Sequence, residues 1–199
     1  MTETRRGRPR KAEVDAEVLR LATELLLERG YGGLSTDEVA ERAGIAKTTL
    51  YRRWPTKDHL ALAVVRRLQD HDEITDTGDI ERDLVDYMEK IAAGLDRMRT
   101  AGGDPGRSAG TVAELVAAGA RHDDVGELGR EMYARRNALA CRLIEGARER
   151  GALRADLDPA VLLEQLAGAL YYRVLITGEP VDRAYAERLV ATALRGALA

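Results

Sequence analysis

The sequence predicts an all-α protein, and three observations lead to that prediction. Apolar residues recur at steps of three and four along most of the chain, which places them on one face of a helix. Glycine and proline residues fall between these periodic segments, where helices are expected to begin and end. The strict alternation that marks a half-buried strand is missing from the sequence. With 199 residues, 45% of them hydrophobic, the chain can bury a sizeable core.

The first two helices are marked by their ends. Residues 12–29 are amphipathic, and Gly30 takes the position that glycine commonly occupies just after the last turn of a helix. The second helix is predicted to begin at Ser35 or Thr36, because Glu38 lies three residues after Ser35, as a capping box requires.

Two more helices follow in the first third of the chain. Gly44 ends the second helix at a tight turn, since glycine adopts positive φ angles without strain. A short third helix is predicted at residues 46–54 and is stopped by Pro55, which disfavours helix at the residue before it. Thr56 then caps a fourth helix that continues to about residue 68.

Five further helices are predicted at residues 80–99, 112–122, 125–150, 159–176 and 181–198. Residues 100–110 contain four glycines and form the most loop-like stretch of the chain. Asp158 and Pro159 mark the start of the helix at 159–176 as its N-cap and first residue. That helix is too apolar to keep one face in water, so it is expected to be buried on both sides, as in a seam between two subunits.

Residues 36–57 have the pattern of a helix-turn-helix: a helix, a tight glycine turn and a short helix. Ile45 and Leu50 are apolar and would hold the second helix against the first, where Ala40 allows a close crossing. The outer face then carries Lys47, Thr48, Tyr51 and Arg52. Lysine and threonine can reach base edges, whereas tyrosine and arginine can hydrogen-bond phosphates. Lys57 lies at the next helix N-terminus, where backbone N–H groups favour a phosphate.

The distribution of charge supports a nucleic-acid partner, although the net charge of −3 does not. Positive charge is concentrated in two segments that contain no acidic residue. Residues 46–57 hold four lysines and arginines, and residues 5–11 hold Arg5, Arg6, Arg8, Arg10 and Lys11. Local patches of this kind matter more for phosphate binding than the charge of the whole chain.

The helix-turn-helix and its flanks resemble the DNA-binding domain of the TetR family of transcriptional regulators. The resemblance is carried by the Ala-Gly turn at residues 43–44, the Ala-Lys-Thr-Thr-Leu-Tyr helix at residues 46–51 and the Pro-Thr-Lys sequence at residues 55–57. Trp54 stands where phenylalanine is commoner in the family. The match covers about residues 12–62.

The basic N-terminal segment and the resemblance together predict a division of the chain into three parts. Residues 1–11 would be a flexible basic arm, and residues 12–56 a three-helix DNA-binding domain of the helix-turn-helix type. Residues 57–199 would form an all-helical effector-binding and dimerisation domain.

The same resemblance implies roles for individual residues. Thr36 would meet a backbone phosphate, and Tyr51 and Lys57 would clamp phosphates. The residues that enter the major groove would be Lys47, Thr48 and Thr49. Arg52 and Arg53 are added from their charge alone; Arg53 fits a solvated surface position better, and Tyr51 could also be a packed aromatic residue.

The arm contains Arg6-Gly7-Arg8-Pro9-Arg10, which resembles the core of an AT-hook. Glycine and proline keep such a backbone extended and thin, so that the flanking arginines can lie in a narrow A·T-rich minor groove. The minor-groove candidates are Arg5, Arg6, Arg8, Arg10 and Lys11. The alternative interpretation of these residues is a solvated basic terminus.

The second part of the chain is expected to form a dimer and to hold an effector. In TetR-like proteins the last two helices of each subunit form a four-helix dimer bundle, and the interface candidates here are Leu166, Leu170, Val174, Tyr185 and Leu189. The effector-pocket candidates are Met88, Ile91, Leu95, Met98, Leu115, Met132, Tyr133, Arg136 and Tyr171. Methionine and tyrosine give an adaptable, partly polar lining, although each of these residues also suits an ordinary core. An inward Arg136 would favour an anionic effector.

The leading hypothesis is a homodimeric transcriptional repressor that binds a pseudo-palindromic site in double-stranded DNA and is released by a small molecule. The alternative is an architectural DNA-binding protein without an effector, which would have a filled core. An enzyme is not expected, because no motif pairs Cys141 with a base and no phosphate loop or carboxylate pair is evident.

No cofactor or metal is expected either, because the chain has one cysteine and three scattered histidines. The single cysteine suits a reducing cytoplasm. The sequence has no apolar run long enough to cross a membrane, so a cytoplasmic location and no membrane partner are expected.

Overall fold

A computed structural model describes residues 8–69, 74–100 and 110–195. Within these ranges the chain forms nine α-helices and no strand, so the predicted all-α fold is confirmed. The helices are α1 Arg8–Gly33, α2 Thr36–Arg42, α3 Lys47–Tyr51, α4 Lys57–Gln69, α5 Ile80–Thr100, α6 Gly110–Arg121, α7 Asp123–Glu149, α8 Pro159–Tyr171 and α9 Arg183–Arg195. No helix in the described ranges is long and apolar enough to cross a membrane.

Two predictions, one about a loop and one about a helix end, fall largely on residues outside the described ranges. The loop predicted at residues 100–110 lies mostly at 101–109, and the last helix was predicted to reach residue 198, beyond the described end of α9 at Arg195.

The first helix begins earlier than predicted. Its backbone is helical from Arg8 rather than from residue 12, and Pro9 lies in the first turn, where the missing N–H of proline is tolerated. The extended arm that the Gly-Arg-Pro sequence predicted therefore does not continue beyond Arg8. At the other end, Gly30 has a φ of 69° and breaks the helical geometry, as predicted.

The turns around α2 and α3 match the sequence signals. Ser35 caps α2 by accepting a hydrogen bond from the Glu38 amide at 3.3 Å. Gly44 has a φ of 64°, a conformation that other residues adopt with strain. The third helix contains only five residues and ends before the predicted 54. Two turn hydrogen bonds to the Leu50 carbonyl, from Arg53 and Trp54, lead the chain into Pro55 instead.

The eighth helix is central to the C-terminal part of the chain. Asp158 caps it, with its carboxylate accepting hydrogen bonds from the amides of Ala160 and Val161. The helix packs against α5, α7 and α9 of the same chain. After Tyr171 the backbone widens into a π-helical turn, Tyr172–Ile176, where a continuous α-helix was predicted.

This packing corrects three of the predicted dimer contacts. Leu166 and Leu170 are completely buried within the one chain, and Val174 is 2% exposed. The helix is apolar because it is covered by its own neighbours, so these residues cannot reach a second subunit. Tyr185 and Leu189 on α9 are half-buried and remain candidates.

Replacing Leu166 with alanine is expected to lower the free energy of unfolding by about 2–5 kcal/mol, because it empties a fully enclosed site. The matched control is Leu139→Ala on α7, where the side chain is 43% exposed and the change should stay within about 0.5 kcal/mol. Urea unfolding at a fixed protein concentration measures both. Equal, small losses would show that Leu166 is not a core residue.

Candidate nucleic-acid interface and ligand cavities

The short helix α3 presents a polar face that Leu50 holds in place. The Leu50 side chain is completely buried, whereas Lys47 and Thr48 are exposed and Tyr51 is 40% exposed. This orientation agrees with the sequence prediction, which also placed Arg52 outward. Thr49 is half-buried on the flank of the same helix.

A hydrogen-bond network joins this face to the start of α2. The Tyr51 hydroxyl lies 3.0 Å from Thr36 Oγ1 and donates to Asp37 Oδ1 at 3.1 Å. The Lys47 ammonium donates to Asp37 Oδ2 at 2.6 Å. The structure therefore brings together three of the predicted DNA contacts, around a carboxylate that the sequence analysis did not single out.

Asp37 is a residue of this candidate interface that the sequence analysis did not identify. The hydrogen bond from Lys47 holds the pKa of Asp37 below its usual value, and the same bond raises the pKa of Lys47. Both groups are therefore charged at neutral pH. The available signal was an acidic residue in the first turn of α2, which the sequence analysis could interpret only as a favourable helix-dipole contact.

Lys57 lies at the start of α4, as predicted, and is held by the end of α1. Its ammonium is 4.3 Å from the centre of the Tyr31 ring and donates to the Gly32 carbonyl at 3.2 Å. Burial lowers the pKa of Lys57. The Tyr31 hydroxyl donates to Asp58, so the first turn of α4 is anchored to α1 at two adjacent positions.

The two arginines after α3 have different surroundings. Arg52 is exposed. Arg53 is paired with Asp15 of α1, and its side chain is only 16% exposed. The prediction that Arg53 is a solvated surface residue was therefore wrong. Its ion pair ties the end of the helix-turn-helix to α1.

The proposed arm is only partly described. Arg5 and Arg6 lie outside the described residues. The backbone of Arg8, Arg10 and Lys11 belongs to the start of α1, and described side chains begin at Ala12. A role for these five cations in the minor groove therefore stays a prediction.

A cavity of about 550 Å³ lies between α4, α6 and α7. Leu62 and Val65 of α4 form one wall. Most of the remaining lining is apolar and includes Val112, Leu115, Val116, Val125, Met132 and Tyr133. A space of this size and character suits a small organic ligand.

A second cavity of about 250 Å³ lies between α5, α7 and α8. Its polar lining groups are Tyr87, Tyr133, Arg136, Asn137, Glu164 and Tyr171. Tyr133 and Asn137 line both cavities, so the two spaces share a wall.

The predicted pocket residues separate into three groups. Leu115 and Met132 line the larger cavity, and Tyr133 lines both. Ile91, Arg136 and Tyr171 line the smaller one. The buried residues Met88, Leu95 and Met98 pack in the core and line neither of these cavities.

The contributions of Leu62 and Val65 were not predicted. The sequence predicted their helix but included none of its residues among the effector-pocket candidates.

Groups that could serve catalysis or metal binding are sparse in the described part of the chain. No cluster of three or more His, Cys, Asp or Glu residues there could hold a metal ion. Cys141 is half-buried, and burial raises the pKa of its thiol, which disfavours the reactive thiolate.

Comparison with known proteins identifies two matching family profiles. Residues 18–64 match the profile for bacterial regulatory proteins of the tetR family, and residues 74–193 match the profile for a tetracyclin repressor-like C-terminal domain. Together the two profiles include both the helix-turn-helix and the helices that surround the cavities.

Individual relatives are similar over most of their length. The HTH-type transcriptional regulator YdeS of Bacillus subtilis is 31% identical over 98% of this chain and 94% of its own. The DNA-binding transcriptional repressor TetR of Mycobacteroides abscessus is 29% identical over 88% of each chain. The crystal structure of the TetR family transcription regulator SCO0332 has a TM-score of 0.78 and 38% identity, and covers 94% of this chain and 100% of its own.

Replacing Asp37 with asparagine should strengthen binding to DNA of arbitrary sequence. The change removes a negative charge from the polar face of α3 and releases Lys47 from an exposed ion pair. Exposed pairs of this kind have small effects, so affinity at low salt should rise only roughly two- to fivefold. The slope of log affinity against log salt should steepen by about 0.9 if Lys47 gains a phosphate. Fluorescence anisotropy with a labelled random duplex measures both quantities.

The matched control is Glu28→Gln, which makes the same charge change at an exposed position on α1. It should leave both affinity and slope nearly unchanged. Equal gains in the two variants would show that only net charge matters, and that the contact between Asp37 and Lys47 does not.

Proposed function

Because the chain belongs to the TetR family of bacterial transcriptional regulators, we propose that it is a homodimeric repressor that acts in the cytoplasm. It binds a pseudo-palindromic operator and is released from it by a small-molecule effector. The observation that carries the DNA-binding part is the polar face of α3, with Lys47 and Thr48 exposed and Tyr51 beside them.

We propose that this face docks on a DNA duplex with α3 in the major groove and its flanks on the phosphates. The hydroxyls of Thr36 and Tyr51 are 3.0 Å apart, close enough for both to contact the same phosphate group. Lys57 at the start of α4 can meet a second phosphate, at a helix N-terminus that itself favours anions. Lys47, Thr48 and Thr49 would then face base edges in the major groove, where such side chains read sequence.

The exposed side of α8 and its π-helical turn supports a dimer. Tyr172 and Ile176 are 61% and 72% exposed, and Val161 is exposed at the other end of the helix. Together with Tyr185 and Leu189 on α9, these residues form the interface that we propose. A two-fold dimer would place its recognition helices about one helical turn of DNA apart, roughly 34–36 Å, or a multiple of that.

The larger cavity supports release by an effector. It is bounded by Leu62 and Val65 of α4, the helix whose first residue is Lys57. A ligand that separates α4 from α6 and α7 would tilt this helix and change the spacing of the recognition helices. The ligand shifts the equilibrium only by the difference between its affinities for the two states.

The alternative function, an architectural DNA-binding protein without an effector, predicts a filled core. The cavity of about 550 Å³ favours the effector-responsive function instead. The domain division that we propose keeps residues 12–56 as the DNA-binding domain and 57–199 as the effector-binding and dimerisation domain. The basic residues 1–11 are proposed to add affinity for DNA, with residues 8–11 acting from the first turn of α1.

Mobility-shift assays with DNA fragments that flank the protein's own gene test the proposed function. Specific binding should survive unrelated competitor DNA and weaken steeply with salt, because several phosphates are contacted. Lys47→Ala should lower operator affinity roughly 10- to 100-fold, as expected when one base contact worth about 1–3 kcal/mol is lost.

The control for this variant is Arg142→Ala, which removes a cation from an exposed position on α7. It should bind the operator as tightly as the unmodified protein does. Binding that competitor DNA removes equally from every fragment would favour the architectural alternative.

Replacing Tyr172 with glutamate is expected to dissociate the dimer, because it places a charge at the centre of the apolar surface on α8. Sedimentation velocity should show a monomer at concentrations where the unmodified chain is dimeric. Circular dichroism should be unchanged, because Tyr172 is largely exposed within the chain.

The control variant is Val116→Glu, which adds the same charge at an exposed apolar position on α6 and should remain dimeric. A Tyr172→Glu protein that also stays dimeric would place the interface elsewhere.

A further inference from the structure

Arg136 lines the smaller cavity, and one of its guanidinium donors is buried without a partner among the described residues. Arg136 Nε donates to the Tyr87 hydroxyl at 3.1 Å, and the guanidinium carbon lies 5.6 Å from the centre of the Tyr87 ring. Arg136 Nη2 is buried and has no hydrogen-bond partner among the described residues. A buried charged donor left unsatisfied is unfavourable, so this atom needs an acceptor that the described side chains do not supply.

Two neutral donors line the same cavity. The Tyr87 hydroxyl accepts from Arg136 and therefore keeps its own hydrogen for another group. The Tyr171 hydroxyl donates to Tyr133 at 3.0 Å, which leaves the Tyr133 hydrogen available in the same way. Burial raises the pKa of Tyr171, so its hydroxyl stays protonated and this chain of donors is maintained.

The donors that remain available, on Arg136, Tyr87 and Tyr133, suit a ligand group that only accepts hydrogen bonds. A carboxylate accepts through two oxygens and pairs with a guanidinium through charge-assisted hydrogen bonds. The rest of the lining, from Ile91, Leu163 and Ala167, is apolar, and the larger apolar cavity lies beyond the shared wall at Tyr133. These features suit an acid with an apolar body.

We propose that the effector of this protein is an organic acid with an aromatic or aliphatic body, and that Arg136 binds its carboxylate. This inference rests on the proposed effector-responsive function and specifies the chemical class of the effector. Arg136 is the charged anchor, and the hydroxyls of Tyr87 and Tyr133 orient the acid group beside it.

Glu164 lines the same cavity and carries the opposite charge. Its side chain is exposed, so water screens its effect, whereas Arg136 Nη2 is out of contact with solvent. The unpaired buried charge of Arg136 therefore outweighs the screened charge of Glu164, and the cavity favours an anion over an amine. Removing the Glu164 charge should strengthen the binding of an anion, so Glu164→Gln is a second, independent variant.

The test compares acids with their uncharged amides on the full-length protein. Benzoate, indole acetate and decanoate are each paired with the corresponding amide, and decylamine represents cations. Binding is measured by calorimetry and by the shift in melting temperature. At least one acid should bind roughly 10- to 100-fold more tightly than its amide, the range expected for a charge-assisted hydrogen bond.

The variants then assign this preference to a residue. Arg136→Gln should remove the preference for the acid, and Arg142→Gln, on the same helix but exposed, should keep it. Glu164→Gln should tighten binding of the acid, and circular dichroism verifies that each variant is folded. Equal affinity for acid and amide, tighter binding of the amine, no binding by any acid, or acid binding that survives Arg136→Gln would each overturn the proposal.

Release of operator DNA is measured separately with the acid that binds. An acid that binds through Arg136 but leaves the DNA complex intact would confirm the anion site and contradict the effector function. An operator complex that is dissociated by uncharged compounds, with no acid bound, would keep the effector function and contradict the anion site.

Discussion

The proposed DNA-binding surface depends on the burial of one leucine. A helix of five residues is far too short to be stable alone. The α3 helix exists because Leu50 is completely enclosed by the N-terminal core and because Gly44 adopts a positive φ that directs the chain back onto it. The ion pair of Arg53 with Asp15 closes the far end against α1. The polar face of α3 is therefore positioned by contacts on its opposite side.

An ion pair within that face limits how strongly its lysine attracts DNA. The segment of residues 46–57 has no acidic residue in sequence, yet the fold brings Asp37 of α2 against Lys47. A phosphate or base that engages Lys47 must displace this carboxylate. The displacement weakens binding to every sequence alike, so by itself it leaves the ratio of operator affinity to affinity for arbitrary DNA unchanged. A correct base then supplies the contacts that make the operator complex the tighter one.

The sequence allowed the local structure to be predicted, but not the partners of each surface. Caps at Ser35 and Asp158 and the turn at Gly44 depend on neighbouring residues alone, and all three were predicted. Periodicity shows which face of a helix is apolar but not what covers it. The apolar residues of α8 were therefore assigned to a dimer interface, although Leu166 is covered by other helices of the same chain. Asp37 and the α4 wall of the larger cavity were missed for the same reason, since both arise from contacts between distant segments.

The position of α4 links the cavity to the DNA-binding surface over a short distance. Lys57 and Leu62 are five residues apart on one helix, which corresponds to about 7.5 Å along its axis. Near its first turn the helix is bonded to α1 through Lys57 and Asp58, and it contacts α7 where His59 Nε2 lies 3.2 Å from Asp124 Oδ2. In the release mechanism that we propose, a ligand that fills the cavity would rotate α4 about its fixed first turn. The α4 helix carries both the contacts to α1 and α7 and one wall of the cavity. In this mechanism a ligand would therefore reposition α3 through α4, without contacting α3.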